Sequence, residues 1–404
     1  MTPVSSQRPA SPLAIALVGT IALAVAMGIG RFAFTPLLPM MLHDGTLDLH
    51  FGSWLATANY AGYLIGAMLC MALPRHLPGT ILIKGGLAAT IVLTLGMVLP
   101  VPLLWPALRF LAGMASAMVF VFTSGWCLAQ FARLGMPARG AVIFTGPGIG
   151  IALSGLAASA MVAAHWTATS GWLVFGLLSA LLSALVWTGL SEPDAPPPVS
   201  SPAPAGTPAP LATTGSSLEM GIFTVAYGLA GFGYIITATF LPVIAREALP
   251  DSLWLDLFWP ILGLGVVAGA LLSTLVPARI DPRLVLTGCY LFQAVGVVLG
   301  LLLPSLTGFI AGSVLMGLPF TAITFFAMQE VRRLRPYHAA RFMGLLTAFY
   351  GLGQIAGPPL AAFLLAHSAS RGTGFALSLG IASATLVTGA ALYVVMSIAW
   401  PRAR

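Results

Sequence analysis

The sequence predicts an all-α integral membrane protein whose twelve transmembrane helices form two pseudo-symmetric six-helix bundles. Three observations predict this class: the composition, the number of long apolar segments, and a repeat with a constant spacing. Of the 404 residues, 58% are hydrophobic and 7% are charged, whereas soluble domains carry about 25% charged residues. The mean hydropathy is +0.99. The chain therefore needs lipid, not water, around most of its surface.

The second observation is a series of apolar segments, each long enough to cross a hydrocarbon core that takes about 20 helical residues. These segments are apolar on all sides, which excludes the alternating pattern of a membrane β-barrel. The predicted helices cover residues 13–42, 52–73, 80–99, 103–131, 140–163, 171–190, 219–245, 254–276, 284–303, 306–331, 341–366 and 373–399.

The third observation is that glycines and prolines recur at a spacing of 203 residues, as Gly28 does with Gly231. Because these residues fix backbone geometry, the spacing indicates one structural half built twice. Between the halves lies a segment rich in proline, alanine and serine, a composition that predicts an extended linker. The predicted units are an N-terminal six-helix bundle at 1–190, a cytoplasmic linker at 191–217 and a C-terminal six-helix bundle at 218–404.

The basic residues predict how the chain crosses the membrane. Twelve spans place both termini on one side, and assigning that side to the cytoplasm leaves only Arg246 and Arg371 outside, against thirteen basic residues inside. This is the positive-inside bias. The uncharged stretch 11–30 is too long for a signal-peptide core, so we interpret it as a retained first span. We expect a multi-pass protein of the bacterial inner (plasma) membrane with both termini cytoplasmic.

Two arginines, Arg31 and Arg109, fall within predicted spans at similar depths. A charge near the bilayer centre costs about 2.5–3.5 kcal/mol on insertion scales and needs a partner, carbonyl groups or water around it. No Asp or Glu lies deep in any predicted span, and arginine keeps its charge at accessible pH. An anion such as a carboxylate or phosphate is the simplest ligand for such a guanidinium. For Arg109, backbone carbonyls are an equally open alternative.

Other polar side chains at helical spacing are candidates for the same binding site. Thr123 shares a face of the fourth helix with Arg109, and Tyr234 occupies the position in the second half that Arg31 occupies in the first. Hydrogen bonding between helices is the alternative role for each of these groups. The predicted substrate-binding residues are Arg31, Arg109, Asn59, Tyr63, Thr123, Tyr234, Tyr350 and Gln354.

Several segments resemble the major facilitator superfamily (MFS) of transporters. The segment WPALRFLAGMASA on the fourth helix is similar to a superfamily motif through Arg109, Gly113 and Ala117. FTGPGIGIALSG on the fifth helix resembles the Gly-Pro motif associated with proton antiporters, and GIGRFAFTPLLPMM on the first resembles the YbfB/YjiJ-type branch. The resemblance covers essentially the whole chain. It implies the major facilitator fold, in which helices one and four line a central cavity.

The same resemblance singles out residues for helix packing and conformational change. Small residues allow the backbones of neighbouring helices to approach closely, and we expect Pro147 and Pro358 to kink helices five and eleven. One departure from the superfamily is the loop LPRHLPGTILIKGG after helix two, which lacks the usual Asp. The predicted packing residues are Gly113, Gly146, Pro147, Gly150, Gly353, Gly357 and Pro358.

Together these features predict a secondary active transporter that moves a small organic solute, preferably an anion, by alternating access. Proton coupling stays open, since Asp256, Glu330 or the substrate itself would have to carry the proton. One alternative is a proton-driven efflux pump for neutral or cationic compounds, which would require an acidic residue in the cavity. Another is an integral membrane enzyme, which the scattered histidines do not favour. A channel or receptor would not need the repeat.

The expected partners are a small-molecule substrate, membrane lipid and, in the coupled case, protons, without nucleic acid. The net charge of +7 reflects the positive-inside bias and not a nucleic-acid partner. We expect a monomer with no catalytic residue, metal or cofactor. The three cysteines, Cys70, Cys127 and Cys289, lie far apart in apolar segments and are predicted to pack there.

Overall fold

The computed structural model describes residues 11–72, 78–191, 216–248, 257–277, 279–303, 305–335 and 339–402. Most of the predicted linker at 191–217 lies outside these ranges, as does Asp256. The division of the chain into units at 190 and 218 therefore stays a prediction.

Twelve apolar helices occupy the described residues, at the positions that the sequence predicts, and no strand occurs among them. Eleven are long enough to cross a membrane, and the twelfth, α8, is a shorter apolar helix. The prediction of an all-α membrane protein is confirmed. The helices are α1 Pro12–His43, α2 Leu49–Ala72, α3 Gly79–Gly96, α4 Trp105–Arg133, α5 Thr145–Ala163, α6 Ala168–Trp187, α7 Ser217–Ala248, α8 Phe258–Ser273, α9 Pro282–Leu302, α10 Leu306–Leu334, α11 Ala339–His367 and α12 Arg371–Ala399.

Short polar side chains fix where several of these helices begin. The side chains of Ser11, Thr167, Ser305 and Ser370 each accept a hydrogen bond from a backbone N–H in the first turn of α1, α6, α10 and α12. Asp281 does the same for α9. Such caps satisfy donors that have no partner within the helix. We call the membrane side on which α1 begins the terminus side, and the other side the opposite side.

Glycines bring helices of the same half into backbone contact. A methyl group on Gly62 of α2 would lie 1.8 Å from the carbonyl oxygen of Phe110 on α4. At the matching pair of helices in the second half, a methyl group on Gly269 of α8 would lie 1.8 Å from the carbonyl oxygen of Leu318 on α10. Small residues permit such contacts in membranes. The repeat in sequence thus corresponds to the same helix packing in both halves.

The two halves meet along three pairs of helices: α2 with α11, α5 with α8, and the last segment of α1 with α7. Thr35 Oγ1 donates a hydrogen bond to the carbonyl oxygen of Ala238 at 2.8 Å. These residues are 203 positions apart and therefore occupy equivalent places in the two halves. Their contact marks the axis that relates one half to the other, on the opposite side of the membrane.

Helix α1 is not regular, although the sequence predicts one continuous helix over 13–42. Residues Ala24–Arg31 form a π-helical segment, in which the N–H of Phe32 donates to the carbonyl oxygen of Met27, five residues back, at 3.1 Å. Gly28 allows this wide turn to lie directly against Gly150 of α5, because a methyl group there would be 2.3 Å from the Gly150 Cα. A π-segment leaves carbonyl groups without their usual partners.

A cluster of charges on the terminus side of the second half ties α7, α9 and α10 together. Arg283 is fully buried and lies 2.8 Å from Asp281, 3.3 Å from Glu219 and 3.7 Å from Glu330. It also donates hydrogen bonds to two carbonyl oxygens at the end of α12. Burial alone would raise the pKa of Asp281, but the hydrogen bonds and charge of Arg283 outweigh it and lower that pKa. We call Glu219, Asp281, Arg283, Glu330, Arg333 and Arg402 the charge cluster.

The first half has no such cluster at the equivalent position within the described residues. The counterparts of Glu219 and Glu330, 203 residues earlier, are Ala16 and Cys127. Cys127 packs there with Ile15 and other apolar side chains. The repeat therefore preserves the helix packing but not the charges, and Asp281 before α9 likewise has an uncharged counterpart, Pro78, in the first half.

We predict that Arg283→Met lowers the thermal unfolding temperature strongly, because it leaves buried carboxylates without their cation. Removing one partner of a buried ion pair costs about 3–5 kcal/mol. The measurement is the unfolding temperature of the purified protein in detergent. Arg332→Met is the matched control, since Arg332 is exposed in the same region. Equal losses in the two variants would contradict a stabilising role for the charge cluster.

The same cluster gives a pH dependence of stability. Because the folded state lowers the pKa of Asp281, the stabilisation from this carboxylate is present at neutral pH. It is lost as the pH falls, first through the pKa of Asp281 in the unfolded chain and then through its lower pKa in the folded protein. We expect the unfolding temperature to fall below about pH 4, and less steeply in Asp281→Asn than in the unaltered chain. Parallel pH profiles would argue against this contribution.

Gly113→Ala is expected to destabilise the α2–α4 contact. The added methyl group would lie 2.0 Å from the carbonyl oxygen of Asn59, and overpacking of this kind costs about 1–3 kcal/mol. Gly125→Ala is the control on the same helix, since no atom lies within 4 Å of a methyl group there. Thermal unfolding in detergent should separate the two variants, and a Gly113→Ala protein as stable as the control would exclude this packing argument.

Candidate functional site

Arg31 lies at the end of the π-helical segment, between the two halves of the protein. Its side chain is 3% exposed. One guanidinium nitrogen, Nη2, donates a hydrogen bond to Gln354 Oε1 on α11 at 2.7 Å. The guanidinium carbon lies 3.8 Å from the centre of the Tyr63 ring on α2. The rings of Phe32 and Tyr60 lie farther away, at 5.3 and 5.5 Å. Among the described residues, Arg31 is therefore held by one neutral acceptor and by aromatic rings.

The charge of Arg31 has no acidic partner among the described residues. No Asp or Glu in those ranges forms a salt bridge with it, and Nε has no hydrogen-bond partner although it is buried. Arginine cannot lose its proton to relieve this situation. The site consequently retains a positive charge and an unused donor, which an anion could neutralise and satisfy.

Gln354 connects Arg31 with Tyr234. While its amide oxygen accepts from Arg31, its amide nitrogen donates to the Tyr234 hydroxyl. Arg31 and Tyr234 are equivalent positions of the two halves, 203 residues apart. One glutamine thus joins the two equivalent side chains across the interface. We call Arg31, Tyr63, Tyr234, Tyr350 and Gln354 the Arg31 site.

Aromatic rings line the second-half side of the Arg31 site. The ring of Tyr234 stacks on Tyr350 at 5.7 Å between centres, and Tyr350 lies 4.9 Å from Tyr227. Phe320 of α10 packs edge-on against Tyr234. Tyr63, Tyr350 and Phe320 are partly exposed, whereas Arg31 and Gln354 are buried. Rings of this kind offer flat apolar faces with polar hydroxyl groups, a combination that suits recognition of small organic molecules.

Contacts between the halves close the opposite side of the Arg31 site. Besides the hydrogen bond of Thr35, the Tyr60 hydroxyl is 2.9 Å from Thr239 Oγ1 on α7. Phe32 packs edge-on against Trp259 of α8. Of the hydrogen bonds between halves that the described residues form, all lie at the level of Arg31 or beyond it on this side. Arg31 is therefore sealed from the opposite side.

Arg109 is also buried, but its surroundings differ from those of Arg31. It donates to the carbonyl oxygens of Gly30 and Arg31 at 3.3 and 3.0 Å, in the irregular stretch of α1. Asn59 in turn donates to the carbonyl oxygen of Arg109 at 2.9 Å. These contacts correspond to the alternative in which backbone carbonyls accept from Arg109, and its Nε, like that of Arg31, is buried without a hydrogen-bond partner among the described residues. Arg109 and Asn59 join α4, α1 and α2, and so hold Arg31 in position.

Thr123 lies away from the Arg31 site. It is fourteen residues beyond Arg109 on the same helix, about 21 Å at 1.5 Å per residue. Its hydroxyl oxygen is buried and has no hydrogen-bond partner in the described part of the chain. The structure thus brings together Arg31, Tyr63, Tyr234, Tyr350 and Gln354 from the predicted set, places Asn59 and Arg109 behind them, and leaves Thr123 apart.

The predicted packing residues lie at close helix contacts. Methyl groups on Gly146 and Gly150 would lie 2.3 and 2.5 Å from carbonyl oxygens of α1. Methyl groups on Gly353 and Gly357 would lie 2.6 Å from the carbonyl oxygen of Gly228 and 2.2 Å from the side chain of Ile235, both on α7. Gly146 and Gly150 thus hold α5 against α1, which carries Arg31. Gly353 and Gly357 hold α11, which carries Gln354, against α7.

Pro147 differs from the sequence-based expectation, whereas the kink expected at Pro358 stays a prediction. Pro147 lies in the first turn of α5, directly after a 3₁₀ segment at Pro137–Phe144. In that turn a missing N–H has no cost, because the helix would leave it unpaired, so Pro147 begins a helix and does not kink one. Pro358 and Pro359 lie inside α11, which is assigned as one helix over Ala339–His367.

Sequence reasoning missed four aromatic residues of this region: Phe32, Tyr60, Tyr227 and Phe320. Tyr60 had a usable signal, since it precedes Tyr63 by three residues and therefore lies on the same helical face. The other three, Phe32, Tyr227 and Phe320, are aromatic residues in apolar helices. Only the packing of α1, α7 and α10 shows that they meet. No group of His, Cys, Asp and Glu in the described ranges could hold a metal ion.

Comparisons with known proteins agree with this architecture. A search of curated protein sequences finds no match. Among solved structures, a mutant of the nucleoside transporter NupG superposes with a TM-score of 0.72 at 15% identity, covering 95% of this chain and 99% of that one. Another structure of the nucleoside transporter NupG gives a TM-score of 0.65 at 14% identity, covering 95% and 98%. At these identities the likeness shows a shared fold.

The family is shown by a match along most of the sequence. The family model described as "Uncharacterised MFS-type transporter YbfB" matches residues 23–394, which include all of the Arg31 site and the charge cluster up to Arg333. The chain therefore belongs to the YbfB-type family of MFS transporters.

Proposed function

We propose that this secondary transporter carries a small organic anion across the membrane by alternating access, and that Arg31 binds the anionic group. One observation carries the proposal: among the described residues, a buried guanidinium between the two halves has only neutral partners and an unused Nε donor. The corresponding membrane is a bacterial inner membrane, with both termini in the cytoplasm, as the distribution of basic residues favours.

The energetics support an anion as the ligand. An uncompensated charge held near the bilayer centre costs about 2.5–3.5 kcal/mol on insertion scales. A carboxylate would supply a full opposite charge and two oxygens for the guanidinium fork, and charge-assisted pairs of this type are about twice as strong as neutral hydrogen bonds. A cation at the same place would add a second positive charge. The site therefore favours anions over the cationic compounds of the alternative efflux function.

The aromatic rings support a substrate with a flat apolar body. Tyr63 stacks on Arg31, and Tyr234 and Tyr350 stack on one another. Tyr63 lies directly on the guanidinium, and Tyr234 is connected to it through Gln354. All three rings offer apolar faces against which a ring or planar chain can pack. We propose a monocarboxylate whose planar body lies among these tyrosines. The binding site is built within one chain, so a monomer is sufficient for transport.

Alternating access follows from the way the halves are joined. The contacts of Thr35 with Ala238 and of Tyr60 with Thr239 seal the opposite side. Rocking of one bundle against the other would break this seal and expose Arg31 to that side, as expected for carriers with a site at the interface of two repeats. Between the halves, a methyl group on Gly148 of α5 would lie 2.7 Å from the carbonyl oxygen of Gly263 on α8, and such small residues let the two moving backbones approach closely.

The structure assigns Glu330 to the charge cluster, where it accepts hydrogen bonds from Arg333 and Arg402. We therefore do not propose it as a proton carrier. Asp256 lies outside the described residues. Transport then depends on the charge of the substrate at Arg31 and needs no titrating protein group at the Arg31 site.

The test is uptake and counterflow in proteoliposomes with benzoate, lactate, phosphate, a nucleoside and a cationic dye. We expect benzoate uptake to fall at least tenfold in Arg31→Gln, because a charge-assisted bond is worth about 1.5–3 kcal/mol. Arg371→Gln is the matched control, since that arginine is exposed and pairs with Glu247 at the protein surface. Transport of the dye or the nucleoside alone, unaffected by Arg31→Gln, would overturn the anion proposal.

Arg109→Met should act on stability and not on substrate selectivity. It removes two hydrogen bonds to buried carbonyl groups of α1, and bonds from a charged donor are worth about 1.5–3 kcal/mol each. We expect a lower unfolding temperature in detergent. We also expect the ratio of benzoate to lactate uptake in the remaining folded protein to change less than twofold. A change of substrate preference with unaltered stability would place Arg109 in the binding site instead.

A further inference from the structure

Gln354 occupies part of the place where an anion would bind to Arg31. Its amide oxygen lies 2.7 Å from Nη2 of Arg31. In a guanidinium, Nε and Nη2 form one edge of the plane, and a carboxylate can accept from both nitrogens of such an edge at once. Here Nη2 has an acceptor while Nε has none. The edge is therefore half-satisfied by a neutral oxygen.

Gln354 is also a bridge between the halves. It projects from α11 in the second half and contacts Arg31 on α1 in the first. Its nitrogen remains anchored on Tyr234 of its own half. Gln354, Tyr234 and Arg31 are all 3% exposed or less, so water does not compete freely for these hydrogen bonds. Loss of the bond to Arg31 would remove a direct connection between the halves at the level of the site.

We propose that Gln354 is an internal substitute for the substrate anion and that the substrate's carboxylate displaces it from Arg31. This inference rests on the proposed function. In the empty protein the amide oxygen of Gln354 satisfies Arg31 and ties α11 to α1. The incoming carboxylate takes both Nε and Nη2, and Gln354 keeps only its bond to Tyr234. Binding of the anion thereby releases the halves from one another.

This exchange explains how binding is coupled to movement. A ligand shifts a conformational equilibrium only as far as it binds one state better than the other. The carboxylate can accept hydrogen bonds from both Nε and Nη2 of Arg31 only when Gln354 has withdrawn. Once Gln354 has withdrawn, the contacts of Thr35 with Ala238 and of Tyr60 with Thr239 have to hold the opposite side closed without it, so this side opens more readily.

Two substitutions of Gln354 separate the roles of its oxygen. Gln354→Glu places a permanent carboxylate beside Arg31, and should weaken benzoate binding at least tenfold and keep the halves together. Gln354→Met has a similar length but cannot accept from Arg31, and should loosen the halves without any anion. Gln293→Met is the matched control, because Gln293 is a buried glutamine of α9 that donates to Met316 and not to the interface.

The movement is measured by alkylation of a cysteine introduced as Ala238→Cys, in protein whose three native cysteines are replaced by alanine. Ala238 lies in the seal and is buried. With unaltered Gln354, benzoate should accelerate alkylation. Gln354→Met should react about tenfold faster without benzoate, since the lost bond to a charged group is worth at least 1.4 kcal/mol, about a factor of ten. Gln354→Glu should react slowly with or without benzoate.

The outcomes distinguish this inference from the proposed function. If benzoate uptake depends on Arg31 but Gln354→Glu binds benzoate normally, the substitute role is excluded while the carrier proposal stands. The same holds if Gln354→Met reacts no faster than Gln293→Met. If no anion is transported, the proposed function fails. If benzoate does not change the alkylation rate of the Ala238→Cys protein with unaltered Gln354, the displacement of Gln354 is overturned as well.

Discussion

The membrane-embedded charge of Arg31 is the constraint on which the arrangement of the other helices depends. A guanidinium cannot neutralise itself by losing a proton, so a protein that buries one must surround it with acceptors or leave a place for an anion. Here Arg109 and Asn59 fix the backbone of α1, and Gln354 and Tyr63 contact the side chain itself. The helix contacts around Arg31 thus position a charge that no carboxylate among the described residues neutralises.

The two halves share their packing and divide their chemistry. Equivalent glycines bring α2 to α4 and α8 to α10, yet the positive charge of the site belongs to the first half, and its glutamine and two of its three tyrosines, Tyr234 and Tyr350, belong to the second. The charge cluster likewise occurs in the second half, where the first has an apolar cluster around Cys127. Duplication supplies a symmetric scaffold, and substitution at equivalent positions makes the interface between the halves chemically asymmetric.

The fold was predictable from sequence because hydropathy and the glycine repeat act locally. Each apolar segment becomes a helix wherever lipid is the solvent. Gly62 and Gly265, at equivalent positions, lie where α2 meets α4 and where α8 meets α10. The site was predictable in part: Arg31, Tyr234 and Gln354 stand out as polar residues in apolar helices. Their partners could not be predicted, because whether Arg109 meets carbonyls or a ligand depends on the π-helical segment. No residue pattern in Ala24–Arg31 predicts that irregularity.

The interruption of α1 also shapes the electrostatic potential within the membrane. A helix carries partial positive charge at its first turn and partial negative charge at its last. The π-segment ends at Arg31 and a regular helix starts again at Phe34, so both kinds of terminus lie deep in the protein. Arg109 covers the negative terminus through the carbonyls of Gly30 and Arg31. At the start of the second segment the N–H groups of Thr35 and Leu37 already donate to the carbonyl oxygens of Phe32 and Ala33, so the two opposite partial charges lie side by side and largely cancel, and the field in this part of the membrane comes from the guanidinium groups.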